Sequence, residues 1–143
     1  YTIAFLQNVF DVGALRPPWL PLLLSFALAV YGYFFAERLL PMVDEGIRIP
    51  VAIYAVAITA MGVAAAFRWG RTYLRSFVIV LVGALFFITS DSLLAIDRFL
   101  EPLEAASWSV ILTYAIAQVL IVLGAVAHVL DPEEIRRRAA LTT

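Results

Sequence analysis

Leu74-Arg75-Ser76-Phe77-Val78-Ile79-Val80-Leu81-Val82-Gly83-Ala84-Leu85-Phe86-Phe87-Ile88-Thr89-Ser90-Asp91-Ser92-Leu93-Leu94-Ala95-Ile96 is the stretch that decides the fold. A helix that crosses a bilayer needs about 20 largely apolar residues, and residues 74–96 meet that length with one acid, Asp91, well inside. Three more stretches qualify. Residues 19–36 are entered through Pro17, Pro18 and Pro21, and residues 49–67 carry Pro50 at their start. Proline is tolerated there because the first turn of a helix has no internal partner for its N–H groups. Residues 108–130 form the last stretch, stopped by Asp131-Pro132. The pattern predicts an all-α, polytopic transmembrane bundle with four complete spans, in one domain over residues 1–143.

Composition agrees. The 143-residue chain is 64% hydrophobic with a mean hydropathy of +0.96, against roughly 45–50% apolar in soluble domains. The excess needs lipid to absorb it. All ten basic residues are arginine, set against eleven acids, for a net charge of −1. That balance offers no basic field for nucleic acid. There is no cysteine, which excludes disulfides, thiolate nucleophiles and Cys-ligated metals, and the single histidine, His128, excludes a multi-His site. Phosphate-binding glycine loops, nucleophile elbows and HExxH helices do not occur.

The chain opens at Tyr1 rather than Met, and Tyr1-Thr2-Ile3-Ala4-Phe5-Leu6 reads as an apolar segment already under way. With no charged region before it, it is not a signal peptide. Residues 1–12 are expected to be the last turns of an earlier span, and the whole chain the C-terminal part of a longer one. Connections are short and polar: residues 37–48, 68–71 and 98–107. Glu101, Glu104 and the Asp97-Arg98 pair read as solvated loop charges. Arg16, Arg68, Arg71, Arg75 and Arg136 to Arg138 fall on one side of the spans; Arg38, Arg48 and Arg98 fall on the other. The richer side is expected to be cytoplasmic. The expectation is therefore a multi-pass cell-membrane protein whose tail, residues 131–143, lies in the cytoplasm.

Ionisable residues inside spans are expensive and ask for a reason. Gly83, Phe87, Ser90, Asp91 and Leu94 recur at helical spacing on one face, which is expected to point into the bundle. Ser90 and Ser92 offer Asp91 local hydroxyl partners. Two readings stay open: a buried acid that exchanges a proton, or an interhelical hydrogen-bond clamp. Tyr114, Ala117, Gln118, Ile121, Ala125 and His128 share a face on the last span, where Tyr114 and Gln118, one turn apart, could bind a common polar group. Tyr54, Ile58, Met61 and Ala65 form a similar face on the second. Tyr31 and Tyr33 read as interfacial belt aromatics, His128 as an interfacial residue, and Gly62 and Gly83 as single small residues rather than a dimerisation face.

Three blocks carry a resemblance: Tyr54-x6-Met61-x2-Ala64, Gly83-Ala84-x2-Phe87-x2-Ser90-Asp91-x2-Leu94-Ala95-x3-Phe99, and Thr113-Tyr114-x2-Ala117-Gln118. Their order and spacing resemble the lysoplasmalogenase family, the YhhN-like integral membrane proteins, over roughly residues 1–128. The resemblance implies an eight-span bundle of over two hundred residues. It implies hydrolysis of the vinyl ether bond of lysoplasmalogens to a fatty aldehyde and glycerophosphoethanolamine or glycerophosphocholine, without metal or organic cofactor. It maps the C-terminal of two membrane-embedded aspartates onto Asp91 and places the other in an upstream Gly-Asp motif. Ser90, Tyr54, Tyr114 and Gln118 would position substrate or water. The implied partners are a lysophospholipid, water and membrane lipid, and no nucleic acid.

The chemistry suits carboxyl groups. Protonating the terminal alkene carbon of a vinyl ether makes an oxocarbenium ion; water adds, and the hemiacetal collapses to aldehyde and alcohol. One carboxyl to donate the proton and one carboxylate to orient water would divide that work. The alternative is a transporter or lipid-binding membrane protein in which Asp91 is a proton relay or structural clamp.

Overall fold

The computed structural model describes residues 1–11, 19–104 and 106–131. The expected tail with Arg136 to Arg138, and the entry residues Arg16, Pro17 and Pro18, lie outside the described residues. Those described are all-α: α1 (Thr2–Asp11), α2 (Trp19–Leu39), α3 (Glu45–Ala66), α4 (Leu74–Ala95) and α5 (Ala106–Val129). A 3-10 turn (Leu40–Met42) prolongs α2, and a π turn (Ile96–Leu100) prolongs α4. Helices α2 to α5 have 21, 22, 22 and 24 residues, about 32–36 Å each, enough to cross a hydrocarbon core of about 30 Å. Large apolar side chains such as Leu23, Phe26, Val56, Leu112 and Val122 remain exposed. That distribution suits helices whose outer faces meet lipid.

Two boundaries differ from the sequence expectation for a physical reason. Helix α3 begins at Glu45, one turn before residue 49, so Pro50 lies inside it. The polar first turn extends the helix beyond its apolar run, and Arg48 donates to the Val43 carbonyl at 3.2 Å. Likewise residues 96–100 are helical rather than loop. Asp97 is not a free solvated charge: its Oδ1 accepts the Leu103 N–H at 2.9 Å and fixes the turn after the helix.

The tightest pairing joins α4 to α5, antiparallel, along small and hydroxyl residues seven apart. Ser76 donates to the Gly124 carbonyl at 2.6 Å, and Ser90 donates to the Val110 carbonyl at 3.0 Å. Between them, a methyl added to Gly83 would lie 3.0 Å from the Ile121 backbone nitrogen, while Ala117 is fully buried. A seven-residue repeat keeps one seam in register along two helices. In lipid, such small residues allow the dispersion contact and interhelical hydrogen bonds that hold spans together. Gly62 and Gly83 are thus close-approach positions within the bundle, Gly62 facing Ile88 and Leu28.

The core lies where α1, α3, α4 and α5 meet: Phe5, Met61, Ala64, Ala65, Val80, Ala84, Ile88 and Ile121. At one end of it Arg68 follows α3 and is 2% exposed. Its Nη2 donates to Ser76 Oγ at 3.0 Å, and its Cζ lies 5.4 Å from the centre of the Phe5 ring. Burial pulls its pKa down to about 10. The turn that follows reverses on Gly70, at φ 72°, a left-handed conformation that favours glycine. His128 is likewise buried at this end, its ring 6.1 Å from that of Tyr73. His128 thus lies in the last turn of its span, packed against the bundle rather than open at the surface.

Candidate functional site

The face of α4 that looked single in the sequence divides in two. Gly83 and Ser90 turn into the seam with α5, where Ser90 spends its hydroxyl on Val110. Asp91, one residue further round the helix, turns instead towards α2 and α3. There it lines a cavity of about 380 Å³ with Tyr31, Tyr54, Ile58, Ser92 and Arg98, among others. Asp91 itself is half-buried. The Tyr54 hydroxyl faces its carboxyl from α3. Its Oδ2 is buried without a hydrogen-bond partner among the described residues. A buried carboxylate oxygen left unpaired is costly, so this atom is open to a proton, a water or a ligand hydroxyl.

The other sequence candidates take separate places. Tyr54 and Asp91 are brought together as one polar pair on the cavity wall. Tyr114 and Gln118 belong to a neighbouring group around α1: the Tyr1 hydroxyl donates to Gln118 Oε1. The Tyr1 ring stands edge-on to Phe87 at 6.1 Å, and Phe87 lies 5.7 Å from the Tyr114 ring. Gln118 therefore spends its carbonyl on Tyr1. Ser92 donates to the Ile88 carbonyl at 2.7 Å, which leaves Asp91 without a bond from either adjacent serine.

Two residues of the cavity, Tyr31 and Arg98, had no site role in the sequence reading. Tyr31 is not a detached belt aromatic: its hydroxyl lies 2.6 Å from Ser92 Oγ and ties α2 to α4 beside Asp91. Tyr33, by contrast, is exposed and stacks edge-on with Phe34. Arg98 lines the cavity two turns beyond Asp91; its seven-residue separation from Asp91 was the available signal. Much of the remaining wall is aliphatic or aromatic, including Phe35, Val51, Leu94 and Phe99. A second, almost wholly apolar furrow of about 650 Å³ runs between α1, α2 and α3, and shares Gly32, Ala55 and Thr59 with the first.

Comparison with known proteins adds one result. The YhhN family model matches residues 1–125. No curated protein and no solved structure matches the chain significantly.

Proposed function

The chain belongs to the YhhN family, and on that premise we propose that it takes part in a membrane-embedded hydrolase that cleaves the vinyl ether bond of lysoplasmalogens. The observation that carries the reading is the Asp91 carboxyl, with one buried oxygen unpaired, on the wall of a largely apolar cavity open among three spans. An apolar cavity inside a bilayer admits an alkenyl chain and keeps bulk water scarce. A carboxyl there can pass a proton to carbon, the demanding step of the reaction. The proton adds to the alkene carbon distal to the ether oxygen, and that oxygen shares the positive charge left on the adjacent carbon. Water attacks the adjacent carbon, releases a proton and leaves a hemiacetal. The hemiacetal breaks to a fatty aldehyde and glycerophosphoethanolamine or glycerophosphocholine.

In this scheme Asp91 is one of two carboxyl groups that divide proton donation and water orientation. Tyr54, facing the carboxyl, orients it and offers a hydroxyl to the ether oxygen or to water. Family resemblance assigns the second carboxyl to an upstream Gly-Asp motif. Tyr114 and Gln118 hold the wall formed by α1 and α5, and Ser90 holds α4 to α5.

Incubating the purified full-length protein in detergent with a 1-alkenyl-lysophosphatidylethanolamine tests the proposal. Fatty aldehyde and glycerophosphoethanolamine are expected in equal amounts, with neither formed from the 1-alkyl ether analogue. Saturable lipid binding with no aldehyde would replace the hydrolase reading with that of a lipid-binding or transport protein.

A further inference from the structure

Arg98 is the charged group of the Asp91 cavity that the proposed chemistry leaves unused. It lines that cavity yet is largely exposed, and it forms no hydrogen bond or ion pair with the described residues. The acid beside it is already engaged, since Asp97 Oδ1 accepts the Leu103 N–H. Arg98 sits in the π turn Ile96–Leu100, which the Glu101 N–H closes onto the Ile96 carbonyl at 3.0 Å. Single π turns are uncommon and recur where a helix must present a functional side chain.

Seven residues separate Arg98 from Asp91, so both leave the helix on one side, roughly 10 Å apart along its axis. Side chains of a helix lean towards its N-terminus, and the arginine, with the longer side chain, can reach further that way than the aspartate, narrowing that gap. In a lysophospholipid, five bonds separate the sn-1 oxygen from phosphorus, about 6 Å when extended. A guanidinium is the side chain best matched to a phosphodiester, because it offers paired N–H donors and a permanent charge.

We infer that Arg98 is the phosphate-binding residue of this cavity, holding the phosphodiester of a lysophospholipid while the sn-1 oxygen and its chain lie against Asp91 and the apolar wall. The reaction at the sn-1 oxygen rests on the hydrolase reading. Recognition of the phosphodiester stands apart from it.

The test compares a 1-alkenyl-lysophosphatidylethanolamine with the phosphate-free 1-alkenylglycerol on the full-length protein. Arg98→Gln should lower kcat/KM for the first relative to the second by about 10- to 100-fold, the scale of a hydrogen bond to a charged group. Arg98→Lys should recover part of that preference. Arg38→Gln, which removes an exposed charge at the same end of the bundle, should leave it intact. An equal loss on both substrates would overturn the assignment. If the protein releases no aldehyde at all, equilibrium binding of an acyl-lysophosphatidylcholine to the wild-type and Arg98→Gln proteins still decides it. Weaker binding by the variant upholds the phosphate site while the hydrolase reading fails, and unchanged binding refutes the site. Displacement of the lipid by millimolar inorganic phosphate would show a free-anion site instead and also overturn the inference.

Discussion

Asp91 faces two demands at once, a chemical one and a structural one, and the amide separates them. Asp91→Asn keeps the shape and still presents a polar group to Tyr54, so folding and detergent melting should stay near wild type. The amide cannot exchange the proton, and loss of general acid–base catalysis typically lowers the rate by ~10²–10⁴. Aldehyde release at saturating substrate, with a melting curve on the same preparation, measures both. Full turnover by the variant would make Asp91 a structural clamp. Tyr54→Phe should be milder, since it removes a hydroxyl facing the carboxyl and leaves the carboxyl in place. Asp91 was legible because it is the one acid within residues 74–96, and an acid in an apolar span costs too much to persist without a role. The partition of its neighbours was not. Ser90 and Asp91 differ by only one position, yet one bonds Val110 on α5 and the other opens on α2 and α3. That difference depends on how α4 is rotated against two neighbours, which its own periodicity does not specify. Tyr31 escaped for the same reason, because its link to Ser92 spans two helices far apart in sequence.

At the scale of helices, hydropathy locates the spans well, since in lipid every backbone polar group must be paired internally and a helix achieves this alone. What it misses is the seam. Ser76, Gly83 and Ser90 on α4 and Val110, Ala117 and Gly124 on α5 each repeat at seven residues, a period hidden within stretches that are apolar on every side. The seam makes a paired prediction. Adding a methyl at Gly124 places it 2.6 Å from Val80 Cγ2 and 3.0 Å from the Val80 backbone nitrogen. The backbone cannot move aside locally, so Gly124→Ala should force α4 and α5 apart at a cost of about 1–3 kcal/mol. Gly46, in the first turn of α3, has nothing within 4 Å of the same added atom. Gly46→Ala should be neutral or stabilise by about 0.4–1 kcal/mol through the unfolded chain. Thermal unfolding of the two variants in one detergent compares them directly, and equal melting temperatures would show that the seam is not close-packed in solution.

For the whole molecule, four successive spans place the turn containing Arg68 on one side and the connections at residues 40–44 and 101–104 on the other. The Asp91 cavity is lined by Leu39, Arg98 and Phe99 at that second end. Which side faces the cytoplasm follows from the arginines. Arg68 is buried against Ser76 and Phe5 and is a poor ligand for lipid head groups. Setting it aside leaves six arginines against three, and the bias keeps its sign. The C-terminus should therefore lie in the cytoplasm and the Arg98 end of the cavity in the opposite leaflet. The cysteine-free chain allows a direct measurement in intact cells. Glu101→Cys, at an exposed position beside the cavity, should react at once with a membrane-impermeant maleimide. Thr143→Cys should react only after the membrane is permeabilised. The reverse pattern would invert the molecule and place its substrate supply in the cytoplasmic leaflet. Equal labelling of both before permeabilisation would contradict the four-span count, because one described span, α5, follows residue 101.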